Sequence, residues 1–412
     1  MHTRLTWLVV TMTLLTGNTA PSETIHIPGD FSTIQAGILA STDGDTVLVA
    51  DGLYSGNGNR DIDFGGKAIV VKSERGPGFT IINCEGDSLD FHRGFLFQSM
   101  EDSSSILDGF TIINGWYGNG GGIACENSSP TISNNVITKN TAAGFTYGYG
   151  GGIYFYYSSS IITGTIIADN TAKGNGGGIY GWESPLTIDG CTILNNVTSF
   201  YGGGIYLIYG GLSTVTSSIL RDNTADSGPQ IYSDSGALLT IMYSDVEGDW
   251  PGPGNLDDDP LFVLPARMDY RLLWGSPCID TGNPGSFDPD GTVRDIGACS
   301  FDQADDLTLY MTPDRRSVTS GGQLGITYTV INRWEQSTPF WILTKVKKSK
   351  GLNITILGPA EYTLPAGYTA QVHLVHDIPV VTPPSIYEYW GWIGIPPGTL
   401  YDMDLFSFKV TG

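Results

Sequence analysis

Residues 150–206 read GGGIYFYYSSSIITGTIIADNTAKGNGGGIYGWESPLTIDGCTILNNVTSFYGGGIY. The tetrapeptide GGGI ends there at Ile153, Ile179 and Ile205, and an earlier copy ends at Ile123, so the steps are 30, 26 and 26 residues. A second signal lies between copies: an aliphatic residue, two further residues, then Asn. It occurs at Ile137/Asn140, Ile167/Asn170, Ile193/Asn196 and Leu220/Asn223, and three of the four Asn are followed by Thr-Ala. A fixed period in the twenties marks a solenoid, in which a repeat cannot bury its apolar face alone and stacks on its neighbours.

The filling of the period selects the solenoid. Segments such as 130–138 (PTISNNVIT) and 186–194 (LTIDGCTIL) alternate as short strands broken by Asn and Gly, and no window has helical periodicity. Some 26 residues suit one coil of three short strands and three turns, with successive coils ~4.8 Å apart. Gly supplies corner conformations closed to other residues, and Asn tolerates left-handed turns and pairs with the like Asn in the next coil. The expected fold is all-β, a right-handed parallel β-helix over at least residues 106–246, with handedness set by strand twist. The GGGI and aliphatic-x-x-Asn pair resembles the GGA[IL]/FxxN repeats of polymorphic outer-membrane proteins. More broadly, residues 24–303 resemble bacterial right-handed β-helix repeat proteins. The resemblance implies the fold and leaves function open, because such helices serve lyases, esterases, hydrolases and adhesins alike.

The ends complete the organisation. Residues 1–22 read as a secretory signal peptide: His2 and Arg4, an apolar run at 5–15 too short to span a bilayer, and small residues that permit cleavage after Ser22 or after Ala20. No later stretch reads as a membrane-crossing helix, so the expectation is an exported protein, extracellular, periplasmic or at the cell surface. Residues 23–83 read as an N-terminal cap and first coil, with Ser32 capping a short helix that carries Ile34, Ile38 and Leu39. This opening resembles the TIQxAI…GDTVxVxxGxY start of bacterial β-helix proteins. Residues 84–303 hold the β-helix and its closing cap. Residues 304–412 alternate as about seven antiparallel strands punctuated by Pro and Gly, the pattern of an immunoglobulin-like sandwich.

Charge excludes one class of partner. The formal net charge is −22; residues 23–303 carry 33 acidic and 11 basic side chains, residues 304–412 only 9 and 8. Nucleic-acid binding needs a basic footprint that is missing. Polyuronates are repelled as well, unless cations reverse the local field. Five sites match N-x-[ST], at Asn127, Asn140, Asn170, Asn196 and Asn223; four are the repeat Asn itself, which favours a structural role over glycosylation.

Three groups are candidate functional residues. Tyr154, Tyr180 and Tyr206 each follow the repeat Ile, and two places on stand Tyr156, Trp182 and Ile208. Alternation puts both columns on the outer face if the Ile point inward. Trp116, Tyr117, Phe145, Tyr147, Tyr149 and Tyr201 precede the GGGI copies and flank the same face. Such a strip suits sugar stacking, with Tyr154, Tyr156, Tyr180, Trp182 and Tyr206 as ligand residues, or else packing against a domain or loop. In the closing segment 255–301, which resembles the SPCIDxGxP and DxDGxxRDIGA ending of β-helix repeat proteins, Asp288, Asp290 and Asp295 resemble the start of a calcium loop; Arg294 is the alternative partner for these acids. Of five cysteines, Cys278 and Cys299 bracket the Pro/Gly-rich closing loop within that segment and are expected to form a disulfide. Cys84 and Cys125 are a further candidate pair, and Cys191 reads as a buried free thiol.

Signatures of β-helix esterases, polygalacturonases, pectate lyases and mannuronan epimerases are absent, and neither His26 nor His92 stands beside a nucleophile. Lys139, Lys173 and Arg221 near turns are the candidate lyase bases. Two readings follow: an exported binding or surface-interaction module, for polysaccharide or another surface protein, or a polysaccharide-processing enzyme, either a calcium-assisted lyase or a carboxylate hydrolase. A basic residue beside three carboxylates in one exposed groove favours the enzyme; a smooth helix favours the module.

Overall fold

The computed structural model describes residues 22–412 except 145, 349–352 and 397. The expected signal peptide therefore lies outside the described residues, save Ser22. The chain is nearly all β, and its first part is a right-handed parallel β-solenoid of three long sheets, with nine, eight and seven strands. One coil runs Ile123–Glu126, Thr131–Ser133, Val136–Thr138 and then a two-residue strand, Thr141–Ala142, before the next coil begins at Ile153. The fourth short strand is additional to the three-strand coil expected. It builds a small four-stranded sheet under the loops that precede GGGI.

Parallel pairing starts at once, with Thr24–Ile27 on Thr46–Val49, so residues 23–83 already contain several strands of the solenoid. The cap is the helix Ile34–Ala40, which buries Ile34, Gly37 and Ile38 over the open end. Its N-cap is Thr33, whose Oγ1 accepts the Ala36 N–H, one residue later than the expected Ser32.

The two repeat signals turn out to be two sides of one contact. Asn140, Asn170, Asn196 and Asn223 stack inside one corner, each at most 5 % exposed. Each Nδ2 donates to the Oδ1 of the next: 3.1 Å from Asn140 to Asn170, 3.0 Å on to Asn196 and 2.9 Å on to Asn223. Each Nδ2 also donates to a carbonyl of the previous coil, as Asn170 does to Ile137 O at 2.8 Å. Buried amides thus leave no polar atom idle in a low-dielectric interior.

The glycines pass directly against this column. Gly150 has φ +67°, the left-handed region; a Cβ on Gly151 would lie 2.3 Å from Gly177 O, and one on Gly152 would lie 2.8 Å from Gly178 O and 3.1 Å from Asn170 Nδ2. A fifth, degenerate copy, GPQI at 228–231, ends the series. No further coil crowds it, so Pro229 and Gln230 are admitted, and Gln230 Oε1 accepts from Asn223 Nδ2 at 2.7 Å to close the ladder.

Residues 304–412 form two facing sheets. Leu307–Pro313, Gln323–Asn332 and Thr369–Asp377 make one; Ser317–Thr319, Thr338–Lys347, Asn353–Leu364, Ser385–Ile395 and Thr399–Thr411 make the other. They enclose a core that includes Leu309, Ile326, Tyr328, Phe340, Tyr387, Tyr389 and Phe406. The sandwich lies along the solenoid. At the closing end, Tyr310 and Ile331 share a core with Ile219, Leu272, Ile296 and Phe301. At the far end Arg75 Nη2 meets Glu388 Oε1 at 2.6 Å, and Arg316 Nη1 donates to Gly78 O at 3.2 Å.

Candidate functional site

Strand register aligns Tyr154, Tyr180 and Tyr206 as the sequence spacing requires, and adds Tyr232 as a fourth ring. The rings stack at 5.4, 5.2 and 5.6 Å between centroids with interplanar angles of 13°, 14° and 5°. They face away from the solenoid core, yet Tyr154, Tyr180 and Tyr206 are only 8, 4 and 5 % exposed. Each ring covers its neighbour, while Tyr149 lies 4.9 Å from Tyr180 and Tyr201 lies 4.7 Å from Tyr232. The cluster consists of solenoid residues, so the sandwich is not what covers it. Burial, then the carboxylates of Glu126 and Asp234, push the phenols of Tyr154 and Tyr206 up to about 12. This column is a packed ladder that offers little ring surface to a ligand. Of the flanking residues, Tyr117 lies under the Arg93 guanidinium at 3.6 Å, and Phe145 falls outside the described residues.

The second column differs. Tyr156 and Trp182 stand in register between Glu126 and Ile208, and both remain partly exposed. The corner that follows holds Asn127, Tyr157, Glu183, Tyr209 and Ser235, all at positive φ. Asn tolerates that conformation; for a bulky aromatic it is uncommon and costs energy. Tyr157 (φ 49°) and Tyr209 (φ 57°) are nonetheless 46 and 49 % exposed. Tyr157 stands edge-on to Tyr156 at 4.5 Å, Tyr209 edge-on to Trp182 at 4.8 Å, and Tyr157 Oη donates to Glu183 Oε1 at 3.1 Å. Tyr157 and Tyr209 lie outside the two aromatic columns that the sequence spacing picks out. Their signal was two aromatics two coil steps apart at one corner position.

The closing segment is held by its own backbone. Asp295 Oδ1 accepts the Asp280 N–H at 2.8 Å and its Oδ2 the Phe301 N–H at 2.6 Å. Asp288 Oδ2 accepts the Asp295 N–H at 2.7 Å; Asp290 accepts from Thr292 and from the Gln303 N–H. Among the described residues no group of three or more His, Cys, Asp or Glu is placed to hold a metal ion. Arg294 turns instead to Asp189, at 3.5 Å. The expected Cys278–Cys299 disulfide is not formed: all five cysteines are free thiols. Cys278 packs into the core with Leu272 and Phe301, and its carbonyl accepts the Ile296 N–H at 2.9 Å, which fixes the backbone pairing three residues short of Cys299. Cys84, Cys125 and Cys191 are buried and unbridged.

Of the candidate bases, Arg221 is engaged by Asp245 and Asp257, each at 3.0 Å. Lys173 is exposed at a turn. Lys139 lines a groove between solenoid and sandwich that also contains Asp269, Asp314 and Asp404. The combination of basic side chains with three carboxylates is therefore present. Arg271 ties Asp269 and Asp404, each at 2.7 Å, and Arg267 and His373 tie Asp314 at 3.3 and 3.1 Å. Burial opposes ionisation of Asp269, but Arg271 outweighs it and holds the carboxyl below its usual range. A glycosidase acid needs the opposite shift.

Fold and surface together define the class, a right-handed parallel β-helix carrying a second, antiparallel β domain. Residues 145–252 match the family model described as a right handed beta helix region. No curated protein matches the chain. Among solved structures it is similar to Spo0M, the sporulation control protein from Bacillus subtilis, at 15% identity over 26% of this chain and 50% of that one, TM-score 0.21. It is similar also to the Bacteroides uniformis beta-glucuronidase (15% identity, 24% and 13% of the two chains, TM-score 0.21) and to the Listeria innocua beta-glucosidase in complex with isofagomine (14%, 31% and 19%, 0.21). The matched part spans half or less of each of these chains, and likenesses at this level carry no argument about function.

Proposed function

We propose that the chain is an exported, non-enzymatic β-helix module that binds neutral polysaccharide along the edge formed by Tyr156, Tyr157, Trp182 and Tyr209. The observation behind this reading is the pair of tyrosines held in a costly backbone conformation with nearly half of each side chain left in water. A core role would repay that strain by burial; a surface role repays it by contact with a partner. Aromatic faces suit the C–H faces of sugars and need no charge, and Glu126, Glu183 and Asp234 nearby accept hydrogen bonds from hydroxyl groups. Each stacked ring contributes on the order of 1 kcal/mol, so affinity accrues along several sugar units.

The test is affinity electrophoresis on a panel of neutral glycans. Tyr157→Ala/Tyr209→Ala should lose retention while keeping its melting temperature. Retention by the double variant equal to wild type, or no retention of the wild type on any glycan, removes the reading. The solenoid–sandwich groove favours the second reading, polysaccharide processing, by its residue types alone. Product release measured on the same panel separates the two, and the ion-paired state of its carboxylates leads us to expect none.

A further inference from the structure

The groove between solenoid and sandwich has a volume of about 480 Å³, within the range of small-ligand sites. Five of the chain's 20 basic residues line it: Lys139 from a solenoid turn, Arg267 and Arg271 from the closing segment, Arg315 and Arg316 from the sandwich. Its three carboxylates are all taken up by Arg271, Arg267 and His373. Lys139, Arg315 and Arg316 have no carboxylate within ion-pair distance among the described residues. Arg316 donates only to the carbonyls of Gly78 and Ser407. The lining is thus locally positive, by two charges, on a chain whose net charge is −22.

We propose that this groove binds an acidic saccharide, its carboxylate or sulfate meeting Lys139 and Arg315 and its ring lying between the solenoid turn and the first sandwich strand. The rest of the lining suits that class. Met268, 39 % exposed, presents apolar surface to a sugar's C–H face, and the partly exposed carboxylates of Asp314 and Asp404 have lone pairs left for hydroxyls beside their ion pairs. Repulsion from the distant acidic residues is screened beyond ~8–10 Å at physiological salt, whereas cations in contact with the ligand are not. A long polyanion would run out of the groove onto the acidic solenoid, so the fit is to one or two acidic units. The site is independent of the aromatic edge and shares no residue with it.

Isothermal titration of the full chain with digalacturonate, and with a neutral galactose disaccharide as control, tests this. The acidic probe should bind, the neutral one should bind at least tenfold more weakly, and added salt should weaken the acidic probe selectively. Lys139→Glu/Arg315→Glu should weaken digalacturonate about tenfold or more, since both side chains are exposed and each reversal changes two charges. Should that variant melt earlier than the wild type, Lys139→Gln/Arg315→Gln is read in its place, with a smaller loss of the same sign. Equal binding of both disaccharides, binding of the acidic one unaffected by the substitutions or by salt, or no binding by the wild type would each overturn the proposal.

Discussion

Two columns run parallel to the solenoid axis, one of asparagines inside a corner and one of tyrosines outside a sheet. Both repeat at the coil period and both stack in register. The Asn column is held by directional bonds, and every coil imposes the same geometry, so substitution is barely tolerated. The Tyr column is held by ring stacking and contact area. That tolerates other residues, and the same column continues upstream as Ala124 and Leu96. A column of identical polar residues inside therefore reports architecture, while a column of aromatics outside reports only that something covers something.

The largest effect should come from the inner column. Asn170→Leu leaves Asn140 N–H and Nδ2 without their Asn170 Oδ1 acceptor and Ile137 O without its donor. At about 1–3 kcal/mol for each buried orphan, the loss should reach ~3 kcal/mol or more in denaturant unfolding. A variant as stable as wild type would show that the ladder is incidental.

Within the aromatics the contrast sharpens. Tyr180→Ala removes a 4 % exposed ring between two stacked neighbours and should cost about 2–3 kcal/mol. Tyr209→Ala, at 49 % exposure, should stay within about 0.5 kcal/mol. Similar losses at the two positions would erase the distinction between ladder and edge.

Acid dependence probes the regions near the domain junction. Burial pushes the carboxyls of Asp245, Asp295 and Asp402 each up to about 6 from 3.8. The folded chain then holds more protons than the unfolded one between pH 4 and 6. Stability from these groups is complete below the unfolded value and is lost as pH rises through about 6. The melting temperature should be higher at pH 5 than at pH 7.5, and Asp245→Asn/Asp295→Asn should flatten that slope. A melting temperature that falls on acidification to pH 5 would contradict it.

The smallest expected effect lies at the closing segment. Its aspartates are satisfied by backbone N–H groups, so chelation should leave the melting temperature unmoved; a fall reversed by calcium would support calcium at Asp288, Asp290 and Asp295. Peptide mapping without reductant should recover Cys278 and Cys299 as thiols.

The period, the coil and the Asn ladder were legible because one geometric demand recurs at every coil with one residue answering it. The corners that use left-handed residues were not, because Lys139, Asp169, Asn195 and Asp222 answer the same demand with unlike side chains. Cover over the tyrosines comes from Tyr149 and Tyr201, each directly before its GGGI copy. Their spacing puts them beside the face, but whether they flank the rings or lie against them depends on side-chain packing that spacing does not encode. The expected disulfide failed because sequence brackets say where a loop begins and ends, while backbone pairing at Ile296 determines which atoms meet. The groove was invisible because its cations come from three separate segments, at Lys139, at Arg267 and Arg271, and at Arg315 and Arg316, and only docking of the sandwich brings them together.

That docking has one more consequence. The sandwich grips the solenoid at both ends, at Arg271 of the closing segment with Asp404 and at Arg75, near the N-terminal cap, with Glu388. Inserting one more 26-residue unit between the middle copies would satisfy every Asn and Gly of the ladder, yet it would move the far end away by ~4.8 Å. Arg75 would lose Glu388, and Gly78 O would lose Arg316. The second domain thus works as a caliper, and the number of coils in this molecule is a measured length.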